Sequence, residues 1–87
     1  MSAVTIYTTG MCPYCSRAKE ILKSKGVRYR EIDVGANAQL RQEMTNRAGG
    51  RRTVPQIFVG DTHIGGCDDL IGLNRSGQLD SLLGLSR

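Results

Sequence analysis

The sequence predicts an α/β fold, a central four-stranded mixed sheet flanked by helices, on three observations. A β-branched and aromatic run at residues 3–8 gives way to a helical pattern at 13–25, and a second strand-like run follows at 27–34. That order is a βαβ unit, which requires a parallel strand pair joined by a right-handed crossover. Further on, runs at 56–59 and 62–64 flank Gly60-Asp61, a turn-forming pair between strands, and so add an antiparallel hairpin.

Each element has a local cause. Ala3-Val4-Thr5-Ile6-Tyr7-Thr8 has the composition of a buried strand, and Thr9-Gly10-Met11 breaks it. In 13–25, Tyr14, Ala18, Ile21 and Leu22 share one helical face while Arg17, Lys19, Lys23 and Lys25 lie elsewhere. Pro13 suits a first turn, where its missing N–H costs nothing, and Gly26 ends the helix after a lysine-rich last turn. Val27, Tyr29, Ile32 and Val34 mark the second strand with imperfect alternation. A weaker helix at 36–47 is carried by Ala36, Leu40 and Met44, with Ala48 continuing the spacing, and Gly49-Gly50 ends it. After the hairpin come a helix at 68–74, opened by Gly65-Gly66, and a short closing helix at 78–85. The order βαβαββα is one sheet with helices on both faces.

Eighty-seven residues suffice for a single domain, expected to span 1–87, and one small core. Apolar residues at 39% and charged residues at 23% are ordinary globular values, which exclude a disordered chain and a coiled coil. No run approaches the roughly 18–20 apolar residues of a membrane span, and the start lacks a basic segment followed by an apolar one. The chain is therefore expected to be cytoplasmic and monomeric, without a membrane partner. A net charge of +4 favours anionic ligands, yet no basic stretch is rich in aromatics, so nucleic acid is not an expected partner.

Cys12, Cys15 and Cys67 are the informative residues. An odd count is poor material for a disulfide scaffold, whereas a close pair in a reducing compartment is catalytic or metal-binding. Cys12-Pro13-Tyr14-Cys15 sits where a strand ends and a helix begins. A thiol there faces unpaired N–H groups and the positive end of the helix dipole, which favour thiolate over thiol. Cys12 is the expected nucleophile. Cys15, deeper in the first turn, is expected to be less exposed, to keep a pKa near its ordinary value, and to resolve a mixed disulfide formed on Cys12. Two binding readings compete. His63 and Cys67 could join the pair in a Cys3His zinc site, and Cys12 with a small external thiol could hold an iron–sulfur cluster.

Three motifs in order, Cys12-Pro13-Tyr14-Cys15, Thr53-Val54-Pro55 and Gly65-Gly66-Cys67-Asp68-Asp69, resemble those of the dithiol glutaredoxins. The length, with Pro55-Gln56-Ile57-Phe58-Val59-Gly60 and His63-Ile64-Gly65-Gly66, is most similar to the short bacterial type-three members. The resemblance implies a thioredoxin-like fold, with Pro55 cis beside the cysteine pair. It also implies glutathione as co-substrate, no tightly bound cofactor, and glutathionylated or disulfide-containing proteins as partners. The Val54 backbone would pair with the cysteinyl part of glutathione as an added strand. The helix N-terminus at Gly66 and Cys67 would take the γ-glutamyl carboxylate, and Asp68 its ammonium. Tyr14, Thr53 and Pro55 complete the expected contacts. Asp69 is expected as charge and cap at that helix start. Many members carry a lysine where this sequence has Thr9, so the positive charge must come from Arg51, Arg41 or Arg17.

Overall fold

The computed structural model describes residues 3–85. β1 (Val4–Thr8) is the inner strand to which the others are added, and all but Thr5 of its residues are buried. β2 (Tyr29–Asp33) lies parallel to it, with Val4 opposite Tyr29 and Thr8 opposite Asp33. β3 (Gln56–Val59) runs antiparallel on its other side and pairs onward with β4 (Thr62–Gly65). The sheet order is β2-β1-β3-β4, the mixed four-stranded sheet that the sequence predicts. Gly60, at φ 59°, takes the first position of the two-residue turn between β3 and β4, where a side chain would be strained. β2 is an edge strand with no fully buried residue, which explains its imperfect alternation.

The crossover helix α1 (Pro13–Ser24) buries Cys15, Ala18 and Leu22, one stripe at i, i+3 and i+7. It shares a face of the sheet with α3 (Cys67–Ser76) and α4 (Gln78–Leu82), and their Leu70, Leu79 and Leu83 close over Val4, Ile6, Ile57 and Val59. The opposite face is covered by α2 (Ala38–Arg47) alone, with Met44 and Ala48 against Tyr7, Val34 and Phe58. Alternation along β3 sends Ile57 and Val59 to one layer and Phe58 to the other. Among the described residues, no helix is long and apolar enough to cross a membrane.

The boundaries differ from expectation for local reasons. α2 starts at Ala38, two residues late, because the Asn37 side chain accepts from the Leu40 N–H at 3.0 Å and caps it there. α3 starts one residue early, on Gly66 as N-cap, and runs to Ser76, where Gly77 at φ 81° stops it. α4 ends at Leu82 instead of Leu85, since Leu83 already serves as its C-cap.

The two layers can be tested separately. Leu22→Ala and Met44→Ala each remove a fully buried side chain, from the α1 and the α2 layer. Each is expected to lower unfolding stability by about 2–5 kcal/mol in urea titrations, and a cost under about 1 kcal/mol would mean that layer is not packed as described.

Candidate active site

The site begins where β1 ends. Cys12 is the N-cap of α1, and its sulfur accepts the Cys15 N–H at 3.1 Å, the capping role a serine or aspartate oxygen usually fills. Pro13 follows at the first helical position. Cys12 is partly exposed, while Cys15 is 1% exposed, and all three cysteines are free thiols. Burial, and then the hydrogen bond to the Cys12 sulfur, push the Cys15 thiol up to about 12. This corrects the expectation of an ordinary pKa: burial outweighs the short distance to the helix start. Cys67 is 5% exposed and burial raises its pKa as well.

Opposite Cys12 stands the loop before β3. The Val54-Pro55 bond is cis, and the Cys12 thiol lies 3.9 Å from the Val54 carbonyl oxygen. A groove of about 260 Å³ opens here between that loop and the start of α3. It is lined by Tyr14, Arg51, Thr53, Val54, Pro55, Gly66, Cys67 and Asp68, so the residues expected to meet glutathione come together, with Asp69 in addition. Tyr14 is 63% exposed and the neighbouring Met11 is 96% exposed, which leaves an apolar margin beside Cys12. A larger hollow of about 670 Å³ lies at the other end of β1, among Val27, Tyr29 and Leu83, away from the cysteines.

Asp69 does more than cap. Its carboxylate accepts the Gly66 N–H at 2.9 Å and the Arg51 guanidinium at 3.0 Å. The Gly66 bond first, and then Arg51, hold the Asp69 carboxyl below the usual carboxylate range. Gly65, at φ 116°, is required here because a Cβ would collide with that carboxylate and crowd Arg51. The Gly66 N–H is therefore occupied, and the first-turn amides of Cys67, Asp68 and Asp69 are left without an i−4 partner. Of the three arginines considered, Arg51 alone lines the groove. Arg41 bonds the Arg52 carbonyl at 3.0 Å, and Arg17 lies in a separate hollow between α1 and α3.

The zinc arrangement is not assembled. His63 bonds Gln56 at 2.7 Å and stacks on Phe58 in the α2 layer, whereas Cys67 sits in the layer of α1 and α3. Among the described residues, no group of three or more His, Cys, Asp or Glu could hold a metal ion.

The family model for glutaredoxin matches residues 4–64, most of the chain and including the cysteine pair and the cis-proline loop. The chain belongs to the glutaredoxin family. It is 54% identical over 83 residues to a glutaredoxin of Pseudomonas aeruginosa, covering 95% of this chain and 98% of that one. It is 55% identical over 83 residues to glutaredoxin 3 of Escherichia coli K12, covering 95% and 99%. The solution structure of a glutaredoxin from Brucella melitensis superposes with a TM-score of 0.86 at 53% identity, covering 100% and 94% of the two chains. A buckwheat glutaredoxin–glutathione complex does so with a TM-score of 0.85 at 31% identity, covering 95% and 77%. This glutaredoxin is a glutathione-dependent thiol–disulfide oxidoreductase with a thioredoxin-like fold.

Two outcomes follow from the site. Iodoacetamide at neutral pH is expected to modify the folded chain once, on Cys12; peptide mapping that finds equal labelling of Cys15 or Cys67 would contradict their burial. For Asp69, the depressed folded pKa means a stabilising contribution present above the unfolded value of about 3.9 and lost as pH falls through the lower folded value. Asp69→Asn should therefore lower Tm at pH 7 and flatten its fall below about pH 4; an unchanged acid limb would refute the pairing.

Proposed function

We propose that Cys12 alone reduces glutathione mixed disulfides and that Cys12 with Cys15 reduces protein disulfides, with glutathione seated in the groove between the Val54 loop and α3. The single observation that carries this reading is one partly exposed sulfur, Cys12, set 3.9 Å from the carbonyl of Val54, which lines that groove, while its partner thiol is buried. In the first route the Cys12 thiolate attacks the glutathionyl sulfur, and the substrate leaves as a thiolate that takes up a proton. A second glutathione thiolate then attacks the sulfur bonded to Cys12, releasing glutathione disulfide and regenerating Cys12.

The chain's own groups prepare both steps. The Cys15 N–H donates to the Cys12 sulfur, and that bond strengthens as the sulfur takes negative charge. The Val54 backbone offers a strand-like edge to the cysteinyl residue of the ligand. Asp68 attracts the γ-glutamyl ammonium, and the amides of Cys67 and Asp68 receive its carboxylate. Arg51, held by Asp69, supplies positive charge at the far rim. In the second route Cys15 must lose a proton before it can resolve a protein mixed disulfide, because the buried thiol holds that proton at neutral pH. The partners in this reading are glutathionylated and disulfide-bearing proteins of the cytoplasm, and the chain works as a monomer with no resident cofactor.

The test is reduction of a glutathionylated peptide and of a protein disulfide, each coupled to glutathione reductase. Cys12→Ser is expected to bring both rates to the uncatalysed background. Cys15→Ser is expected to keep deglutathionylation within about twofold and to lose dithiol reduction by about tenfold or more. Activity of the Cys12→Ser variant would sink the proposal.

A further inference from the structure

A buried chain of hydrogen bonds reaches the groove from the opposite layer of the sheet. Gln56, at 0% exposure, sends its Nε2 to the Thr53 carbonyl at 3.0 Å and to the Thr53 Oγ1 at 3.3 Å. A carbonyl only accepts, so the amide nitrogen faces Thr53 and the Oε1 faces His63, whose Nε2 lies 2.7 Å away. His63 must then donate through Nε2, which sets its tautomer. The ring is itself fixed. It sits opposite Phe58 in the β3–β4 register and stacks on that ring at 4.8 Å and 24°, while Arg47 covers Phe58 at 4.2 Å and bonds the Tyr7 hydroxyl at 2.9 Å. Burial, and then the charge of Arg51, lower the His63 pKa, in keeping with a neutral imidazole.

We propose that Gln56 and His63 are positioning residues whose relay holds the Thr53-Val54 wall of the groove and reserves the Thr53 hydroxyl proton for the bound ligand. A hydroxyl has a single proton to donate. Because Gln56 already donates to Thr53 Oγ1, that proton is directed to another acceptor, and exposed Thr53 shares the groove with Arg51. The acceptor class is a carboxylate or peptide carbonyl of an anionic peptide thiol. The proposal rests on the groove as the glutathione site. Neither Gln56 nor His63 lines the groove or contacts Cys12, so their effect is expected on substrate binding and not on the sulfur chemistry.

Gln56→Met keeps the side-chain volume and removes the relay, His63→Phe keeps the stack on Phe58 and removes the donor, and His63→Gln restores an N–H of similar reach. KM and kcat for a glutathionylated peptide and the iodoacetamide rate of Cys12 are measured on each, with circular dichroism to confirm folding. Gln56→Met should raise KM about 5–20-fold with kcat within about twofold, the effect of one or two lost hydrogen bonds. His63→Phe should raise KM about 2–5-fold, His63→Gln should lie within about twofold of the parent, and alkylation should not change. An unchanged KM in Gln56→Met, or equal KM for the two His63 variants, overturns the relay. A parallel loss of alkylation rate would also overturn it, since that marks general disruption. Failure of the groove itself looks different: Asp68→Ala would then leave KM unchanged as well.

Discussion

The structure turns on a sulfur used as a helix cap. Because the Cys12 sulfur accepts the Cys15 N–H, that sulfur is tied to the first turn of α1, and its direction is set by where β1 delivers the chain. β1 is an inner strand, buried at all but Thr5, and it ends four residues before Cys12. Two further elements converge on the same place, the Val54-Pro55 loop from β3 and the start of α3 from the end of β4. The site is thus a junction of strand ends in one sheet, with the surrounding core serving chiefly to hold those ends in register.

The same junction divides three chemically identical side chains. Cys12 at the cap is partly exposed; Cys15, one turn on, belongs to the buried stripe of α1; Cys67 opens α3 and joins the core. Burial penalises the charged form, so the two buried thiols hold their protons more tightly. Three residues of helical spacing are enough to place Cys12 and Cys15 in these different environments.

Across the groove from Cys12, the one lining arginine is already paired within the chain. Arg51 is bound to Asp69, which also holds the Gly66 amide, and Gly65 leaves the space that this arrangement needs. Of the twelve lysines and arginines, Arg51 is the one that lines the groove, beside the amides of a helix start. On the other side of the sheet, the stacked Arg47, Phe58 and His63 lead through Gln56 to Thr53, so both layers touch the groove wall.

Much of this was legible in order along the chain. The βαβαββα sequence of elements follows from side-chain periodicity and from Gly and Pro at the breaks, which are local properties. The cysteine pair at a strand–helix boundary, and the three motifs that resemble glutaredoxins, are likewise contiguous in sequence. Helix ends were less legible, because they depend on local capping bonds: the Asn37 side chain takes the Leu40 amide, and the Asp69 carboxylate takes the Gly66 amide. What the sequence by itself determined is which elements form and which thiol caps the first helix. Tertiary structure alone decided that Arg51, and neither Arg41 nor Arg17, reaches the groove, and that Cys15 is buried deeply enough to keep its proton. It also turned His63 toward Gln56 and away from the cysteines. These depend on pairings between residues far apart in sequence, and on desolvation by groups from other elements, neither of which any local pattern encodes.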